Sequence, residues 1–198
     1  MGNETEEFLA KWGMIDKTKT LDELIDLATN QNDVNAQKDL AERYFHGVAG
    51  AKKNYKKAMA WSIAAAENGD IENQGYLGNY YFTKHKYEEA YMWYSKLLEI
   101  NDSNALTRIG YMYYKGKGVE KDIAKAIDLF TRACEEDIYA VDAYIYLGDI
   151  YYKGIGVEKD IEKALDLYDT ASDFGGSYEA YLRLMKAQEE GHQIYNRK

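Results

Sequence analysis

The stretch "YYKGKGVEKDI" (residues 113–123) occurs a second time as "YYKGIGVEKDI" (151–161), with a single position changed. A loop rich in glycine and lysine could hold a phosphate, or it could be a turn that each unit of a repeating scaffold needs. A Walker loop requires GxxxxGK[ST] after a strand, and a dinucleotide loop requires GxGxxG between a strand and a helix. Neither spacing is present in the two stretches, so we interpret them as repeated turns.

The similarity extends well beyond the turn. Four copies of a longer unit align when the turns are superimposed. Two copies match closely and without a gap (105–133 and 143–171), and two are more divergent (36–69 and 76–99). Apolar residues recur at helical spacing on both sides of the turn, as Ile109 and Met112 do before it. The distance between copies lies in the range of helix-pair solenoids. The sequence therefore predicts an all-α fold, an α-solenoid of antiparallel helix pairs with about four repeats.

Glycine and aspartate stand at fixed positions of each turn. Gly116 and Gly154 lie where the first helix of a pair ends and left-handed backbone is needed. Asp122 and Asp160 lie where the N-cap of the second helix belongs. Further back in the first helix, Gly110 would let the two helices approach closely, so a bulky residue there should hold them apart.

The composition limits the class of partner. The chain has 198 residues, no proline, 20 tyrosines and a formal net charge of −9. Nucleic acids and anionic membranes are bound through a surplus of lysine and arginine, so we expect neither as a partner. A basic partner would complement the charge, although acidity can also serve solubility alone.

The sequence also indicates a compartment. The single cysteine, Cys134, cannot form an internal disulfide or a CxxC metal clip. The first residues, "MGNETEEFLAKWG", are acidic and lack the apolar core of a signal peptide, and no segment is long and apolar enough to span a membrane. We therefore expect a soluble, cytoplasmic protein.

The repeated pattern resembles that of the Sel-one-like repeat family, which is related to tetratricopeptide repeats. The residues that carry the resemblance in 105–133 are Ala105, Ile109, Gly110, Tyr113, Gly116, Gly118, Val119, Asp122, Lys125, Ala126, Leu129 and Ala133. The copy at 143–171 has the same pattern, whereas the unit at 73–101 lacks the G-x-G-V turn and the first unit has "GVAGAKKN" in its place. The resemblance implies a right-handed superhelix of stacked helix pairs.

We predict three regions along the chain. They are N-terminal capping helices (1–32), four repeats within 33–175 (33–69, 70–101, 102–137 and 138–175), and a C-terminal capping helix (176–198). Thr20 followed by Glu23 predicts a capping box at the start of the second capping helix.

The resemblance also implies where a partner would bind, because tetratricopeptide-like solenoids use the first helices of the repeats to line a concave groove. The residues predicted to bind a partner there are Glu42, Asn79, Phe82, Tyr111, Tyr114, Lys115, Asp149, Tyr152 and Lys153. One position of the first helix is aromatic in all four repeats (Phe45, Phe82, Tyr114 and Tyr152), and we call these residues the aromatic column. Such a column suits a protein partner because tyrosine offers a large, rigid contact area with a polar tip. The alternative is that these rings pack between repeats, which we favour for Phe45 and Phe82. Tyr113 and Tyr151 are expected to face the packed interior.

The sequence offers no catalytic, metal or cofactor site. His46, His85 and His192 fall in three different units without a metal-ligand spacing, and Cys134 is followed by acidic residues that oppose thiolate formation. We expect a non-enzymatic interaction module, monomeric or weakly dimeric, that binds a protein or peptide in its groove. One alternative is an acidic neutralising protein that sequesters a basic toxin or nuclease, and a more distant one is a hydrolase.

Overall fold

The computed structural model describes residues 2–192, with side chains from residue 4 onward, and this part of the chain is helical without strands. Its helices are α1 (Gly2–Lys11), α2 (Leu21–Asn30), α3 (Val34–His46), α4 (Tyr55–Glu67), α5 (Ile71–Thr83), α6 (Tyr87–Ser95), α7 (Ser103–Lys115), α8 (Ile123–Glu136), α9 (Val141–Lys153), α10 (Ile161–Asp173) and α11 (Tyr178–Glu189), with a short 3-10 helix at Leu98–Ile100. The all-α prediction is confirmed. Residues 193–198 of the predicted C-terminal cap lie outside the described residues.

The repeated turns have the predicted backbone. Gly116 and Gly154 end α7 and α9 in the left-handed region, with φ of 66° and 65°. The Asp122 carboxylate accepts a hydrogen bond from the Lys125 amide at 3.0 Å and so caps α8, and Asp160 caps α10 in the same way. The turn interpretation is confirmed.

At Gly110 and Gly148, the contact between the paired helices is made by an aromatic ring of the second helix. A Cβ atom on Gly110 would lie 2.7 Å from the Phe130 ring, and one on Gly148 would lie 2.5 Å from the Tyr168 ring. Both glycines are therefore needed because the second helix of the pair places a large ring against the backbone of the first.

The chain divides into two compact units at a boundary between Tyr80 and Tyr81, within α5. In the first unit, α2, α3 and α4 share a core that includes Leu24, Leu40 and Tyr44. Helix α1 contributes Leu9 to a smaller cluster with Val48. The predicted capping box at Thr20 is present at the start of α2.

The second unit has a continuous core that runs from α6 to α9. Tyr94, Ile109, Phe130 and Ile150 are among its buried residues. Helix α11 packs against α10 through Leu184. None of the helices between residues 2 and 192 combines the length and the apolar character needed to cross a membrane.

Candidate functional site

The first unit contains an open groove of about 1610 Å³. Residues from all five helices of the unit, α1 to α5, line it, together with the segment that follows α1. Six aromatic side chains of the lining are exposed: Phe8, Trp12, Phe45, Tyr55, Tyr76 and Tyr80. An exposed apolar surface of this extent is typical of a site that contacts another molecule.

The aromatic rings of the groove form three pairs. Phe45 and Tyr55 meet edge to face with centroids 5.3 Å apart, and Tyr76 and Tyr80 stack at 6.5 Å. Trp12 lies 6.3 Å from the Phe8 ring and is 64% exposed. The pairs hold one another in place while leaving ring surface open to solvent, so the groove is partly preorganised for apolar side chains.

A carboxylate lies among these rings. Glu42 on α3 approaches His46 Nε2 at 3.4 Å. Partial burial raises the pKa of Tyr76, and the nearby Tyr80 and the negative charge of Glu42 raise it further. Glu42 therefore adds negative charge beside the rings, in a lining that also contains Lys38, Lys56 and Glu72.

A buried ion pair supports the wall of the groove, and one of its two residues, Asp39, lines the groove. Arg43 is 1% exposed, and its Nε donates to Asp39 Oδ1 at 2.5 Å. The other guanidinium nitrogens donate to the backbone carbonyls of Asp16 (2.7 Å), Lys19 (3.1 Å) and Ala49 (3.0 Å). One arginine thus ties both the segment after α1 and the turn after α3 to helix α3.

Asp39 completes this clamp from the other side. Its second oxygen accepts a hydrogen bond from the Asp16 amide at 2.5 Å. Burial raises the pKa of Asp39, while the hydrogen bonds from the Asp16 amide and Arg43 oppose that effect. Because Arg43 and Asp39 are both buried, the loss of either would leave an unpaired charge in the interior.

The predicted site residues on α7 and α9 lie in the second unit, and most of them have internal partners. Tyr114 is 7% exposed and packs against Phe130 and Tyr146, so its ring offers a partner little surface. The interpretation of an exposed aromatic column fails at this position. Tyr111 packs between Phe82 and Tyr146, with centroids 5.7 Å and 5.4 Å away.

Asp149 and Tyr152 are similarly occupied. Asp149 accepts hydrogen bonds from Tyr168 and from Arg183 Nε, each at 2.8 Å. The Tyr152 hydroxyl donates to Glu190, and partial burial together with that carboxylate raises the pKa of Tyr152 to about 12. These contacts connect the helices of the second unit to one another.

The remaining predicted residues lie at different depths. Lys115 and Lys153 are exposed, Lys115 over the Tyr114 ring at 4.3 Å and Lys153 at 3.5 Å from Asp149. Phe82 is half-buried, as the packing interpretation expects, and Asn79 is exposed on α5.

Phe45 departs from the packing interpretation, because it is 43% exposed in the groove of the first unit. Of the predicted set, only Glu42 lines that groove.

Most groove residues carried little signal in the sequence. Trp12 precedes the first repeat, and Tyr55 is the first residue of α4. Tyr76 and Tyr80 stand four residues apart on α5, a spacing that places them on one helix face but does not reveal that this face is open.

Between residues 2 and 192, no group of three or more His, Cys, Asp and Glu side chains could hold a metal ion. Burial and the neighbouring Glu135 raise the pKa of Cys134 to about 12, which keeps it a thiol.

Comparisons with known proteins agree with the repeat pattern. A family model for the Sel1 repeat matches residues 34–70, 75–102, 103–138 and 141–173. A solved Sel1 repeat protein from Oxalobacter formigenes is 29% identical with a TM-score of 0.69, over 96% of this chain and 74% of that chain. A protective antigen present in uropathogenic Escherichia coli strains, which displays an SLR fold, is 30% identical with a TM-score of 0.66, over 87% of this chain and 37% of that chain.

One curated relative is a much longer protein than this chain. The ERAD-associated E3 ubiquitin-protein ligase component HRD3B of Arabidopsis thaliana is 31% identical over 85 residues, which make up 42% of this chain and 13% of that protein. The chain thus spans a small part of that relative's length. The repeat matches, in contrast, cover more than half of the chain, and the protein belongs to the Sel1 repeat family.

Proposed function

We propose that the protein is a non-catalytic interaction module that holds a segment of a protein partner in the groove of its first unit. The observation that supports this proposal is the set of exposed aromatic side chains in one open depression of about 1610 Å³. Aromatic residues with open faces are enriched among the positions that dominate binding energy in protein interfaces.

The family supports the same class of function. Sel1 repeat proteins generally mediate protein–protein interactions, and they are typically scaffolds without catalytic activity. Of the residues predicted from the sequence, we assign Glu42 to the binding surface. The aromatic residues that we assign to it are Trp12, Phe45, Tyr55 and Tyr76.

Site-specific photo-crosslinking tests the proposal. A photoreactive phenylalanine analogue at Trp12 or Tyr76 should crosslink a discrete protein in the source cell. The same analogue at Tyr178, an exposed aromatic on α11, provides the matched control. Crosslinked bands that are equally strong from all three positions would contradict the groove assignment.

The captured partner then allows a quantitative test. We expect Trp12→Ala combined with Tyr76→Ala to weaken its binding at least about tenfold, because truncation of two interface aromatics costs more than about 1 kcal/mol each. Phe174→Ala combined with Tyr178→Ala should leave the affinity unchanged, since both of those residues are exposed outside the groove.

A further inference from the structure

Four exposed lysines surround the start of α4, and we call them the lysine patch: Lys52, Lys53, Lys56 and Lys57. None of them forms an ion pair with a carboxylate of residues 2–192. Lys53 and Lys57 instead lie over the rings of Tyr55 (5.0 Å) and Tyr44 (4.9 Å). On a chain with a net charge of −9, this is a local concentration of uncompensated positive charge.

The corresponding turns of the later repeats mix lysines with acidic residues. The N-cap of α8 is Asp122, whose carboxylate lies 3.6 Å from the Lys125 ammonium group, whereas the N-cap of α4 is the neutral Asn54. The turn before α10 alternates Glu158, Lys159 and Asp160. The lysine patch is therefore a property of the first repeat and not a requirement of the turn.

Its position on the helix makes the patch unfavourable for folding. The first turn of an α-helix carries partial positive charge, so a lysine there is repelled and an acidic residue is attracted. Lys56 and Lys57 are the second and third residues of α4. A cluster that opposes the helix dipole and has no carboxylate partner among the described residues points to an external carboxylate.

The patch adjoins the aromatic groove. Tyr55 and Lys56 both line the groove, and Tyr55 contacts Phe45 within it. If a bound segment placed apolar side chains on Phe45 and Tyr55, the side chains next to them in that segment would lie within reach of the lysine patch.

We propose that the lysine patch binds carboxylates of the partner, so that the segment held in the groove is acidic as well as apolar. This inference rests on the proposed function, because it assumes that the groove holds a polypeptide. Carboxylates fit the patch by charge, and the exposed rings beside it provide apolar contacts for neighbouring side chains of the same segment. The net charge of −9 disfavours an extended polyanion such as a nucleic acid or an anionic membrane surface.

Selection from a random-peptide library displayed on phage, with the full chain as bait, tests the inference. We expect enriched peptides to combine Leu, Phe or Trp with neighbouring Asp or Glu. A synthetic copy of an enriched peptide should bind about tenfold or more weakly to a variant with Gln at all four patch positions (Lys52→Gln, Lys53→Gln, Lys56→Gln, Lys57→Gln), and its affinity should fall with added salt.

The matched control removes the same number of positive charges from the turns of the second unit (Lys121→Gln, Lys125→Gln, Lys159→Gln, Lys163→Gln). We expect this control to bind the peptide as the unaltered chain does. If the patch variant also keeps full affinity, or if the enriched peptides are rich in Lys and Arg, the inference is wrong while the groove proposal stands. If no peptide is enriched, or if Trp12→Ala with Tyr76→Ala has no effect on the enriched one, the proposed function itself fails.

Three other occupants of the patch are tested with the same variants. Patch-dependent binding of a single-stranded DNA oligonucleotide, or of vesicles that contain phosphatidylserine, at affinities above that of the peptide would overturn the inference. Patch-dependent self-association in sedimentation velocity would overturn it in favour of a second copy of the chain.

Discussion

The carboxylate of Asp149 joins three helices of the second unit. It lies on α9 and accepts hydrogen bonds from Tyr168 on α10 and Arg183 on α11. Burial alone would raise the pKa of Asp149, but the hydrogen bonds from Arg183 and Tyr168 outweigh it and lower the pKa below its ordinary value. The ionised carboxylate is thus a structural group that fixes the terminal helix.

The shifted pKa gives a pH-dependent prediction. A lowered pKa in the folded state contributes stability above the unfolded pKa of about 3.9, and this contribution is lost as the pH falls through the folded value. We expect Asp149→Asn to lower the free energy of unfolding by about 2 kcal/mol at neutral pH, since Arg183 loses its charged partner. Denaturant titrations should show this difference shrinking below about pH 4, and a difference that is constant with pH would contradict the assignment.

Gly110 offers a test of close packing at a single residue. A methyl group there would lie 2.7 Å from the Phe130 ring, so either the ring or the helix must move. We expect Gly110→Ala to lower the free energy of unfolding by about 1–3 kcal/mol, although alanine favours helix more than glycine does. Adding Phe130→Leu to Gly110→Ala should cost less than the two separate changes together, and simple additivity would exclude the ring as the cause.

At the scale of the helix pair, the elements could be predicted because their signals are local. Gly116 ends α7 and Asp122 caps α8 within a stretch whose spacing can be read directly. The groove could not be predicted in this way. Trp12, Tyr55 and Tyr76 come from separate elements. The hydrogen bonds of Arg43, which fix the segment after α1 and the turn after α3, join residues as far as 27 positions apart. Whether each ring is exposed depends on how the helices pack against one another, and helical periodicity does not encode that packing.

The start of α4 gives a prediction in which stability and binding change in opposite directions. We expect Lys56→Glu to raise the free energy of unfolding by about 0.5–1 kcal/mol at low salt, because a negative charge at this position suits the helix dipole. The same change should weaken binding of an acidic peptide. Ala124 holds the matching position of α8, so Ala124→Glu should change stability in the same direction without affecting the peptide. Thermal melts and fluorescence anisotropy measure both effects, and a Lys56→Glu variant that is less stable would contradict the dipole argument.

At the scale of the whole molecule, each of the two compact units has its own core and its own polar network. The Arg43 clamp and its partners lie in the first unit, and the Asp149 network lies in the second. The proposed binding surface, including both the aromatic groove and the lysine patch, belongs to the first unit alone. Stability in repeat proteins is carried by individual repeats and their nearest neighbours, so damage at one network should remain local.

Hydrogen exchange followed by mass spectrometry tests this separation. Arg43→Ala leaves Asp39 as an unpaired buried charge, and we expect a loss of about 3–5 kcal/mol in the local stability of the first unit. Amides of α2 and α3 should then exchange faster, while those of α8 and α10 keep their protection. Asp149→Asn is the reciprocal control and should accelerate exchange in α9 to α11 only. Equal acceleration in both units by either variant would mean that the chain unfolds as one cooperative body, and the groove could then not be altered independently of the second unit.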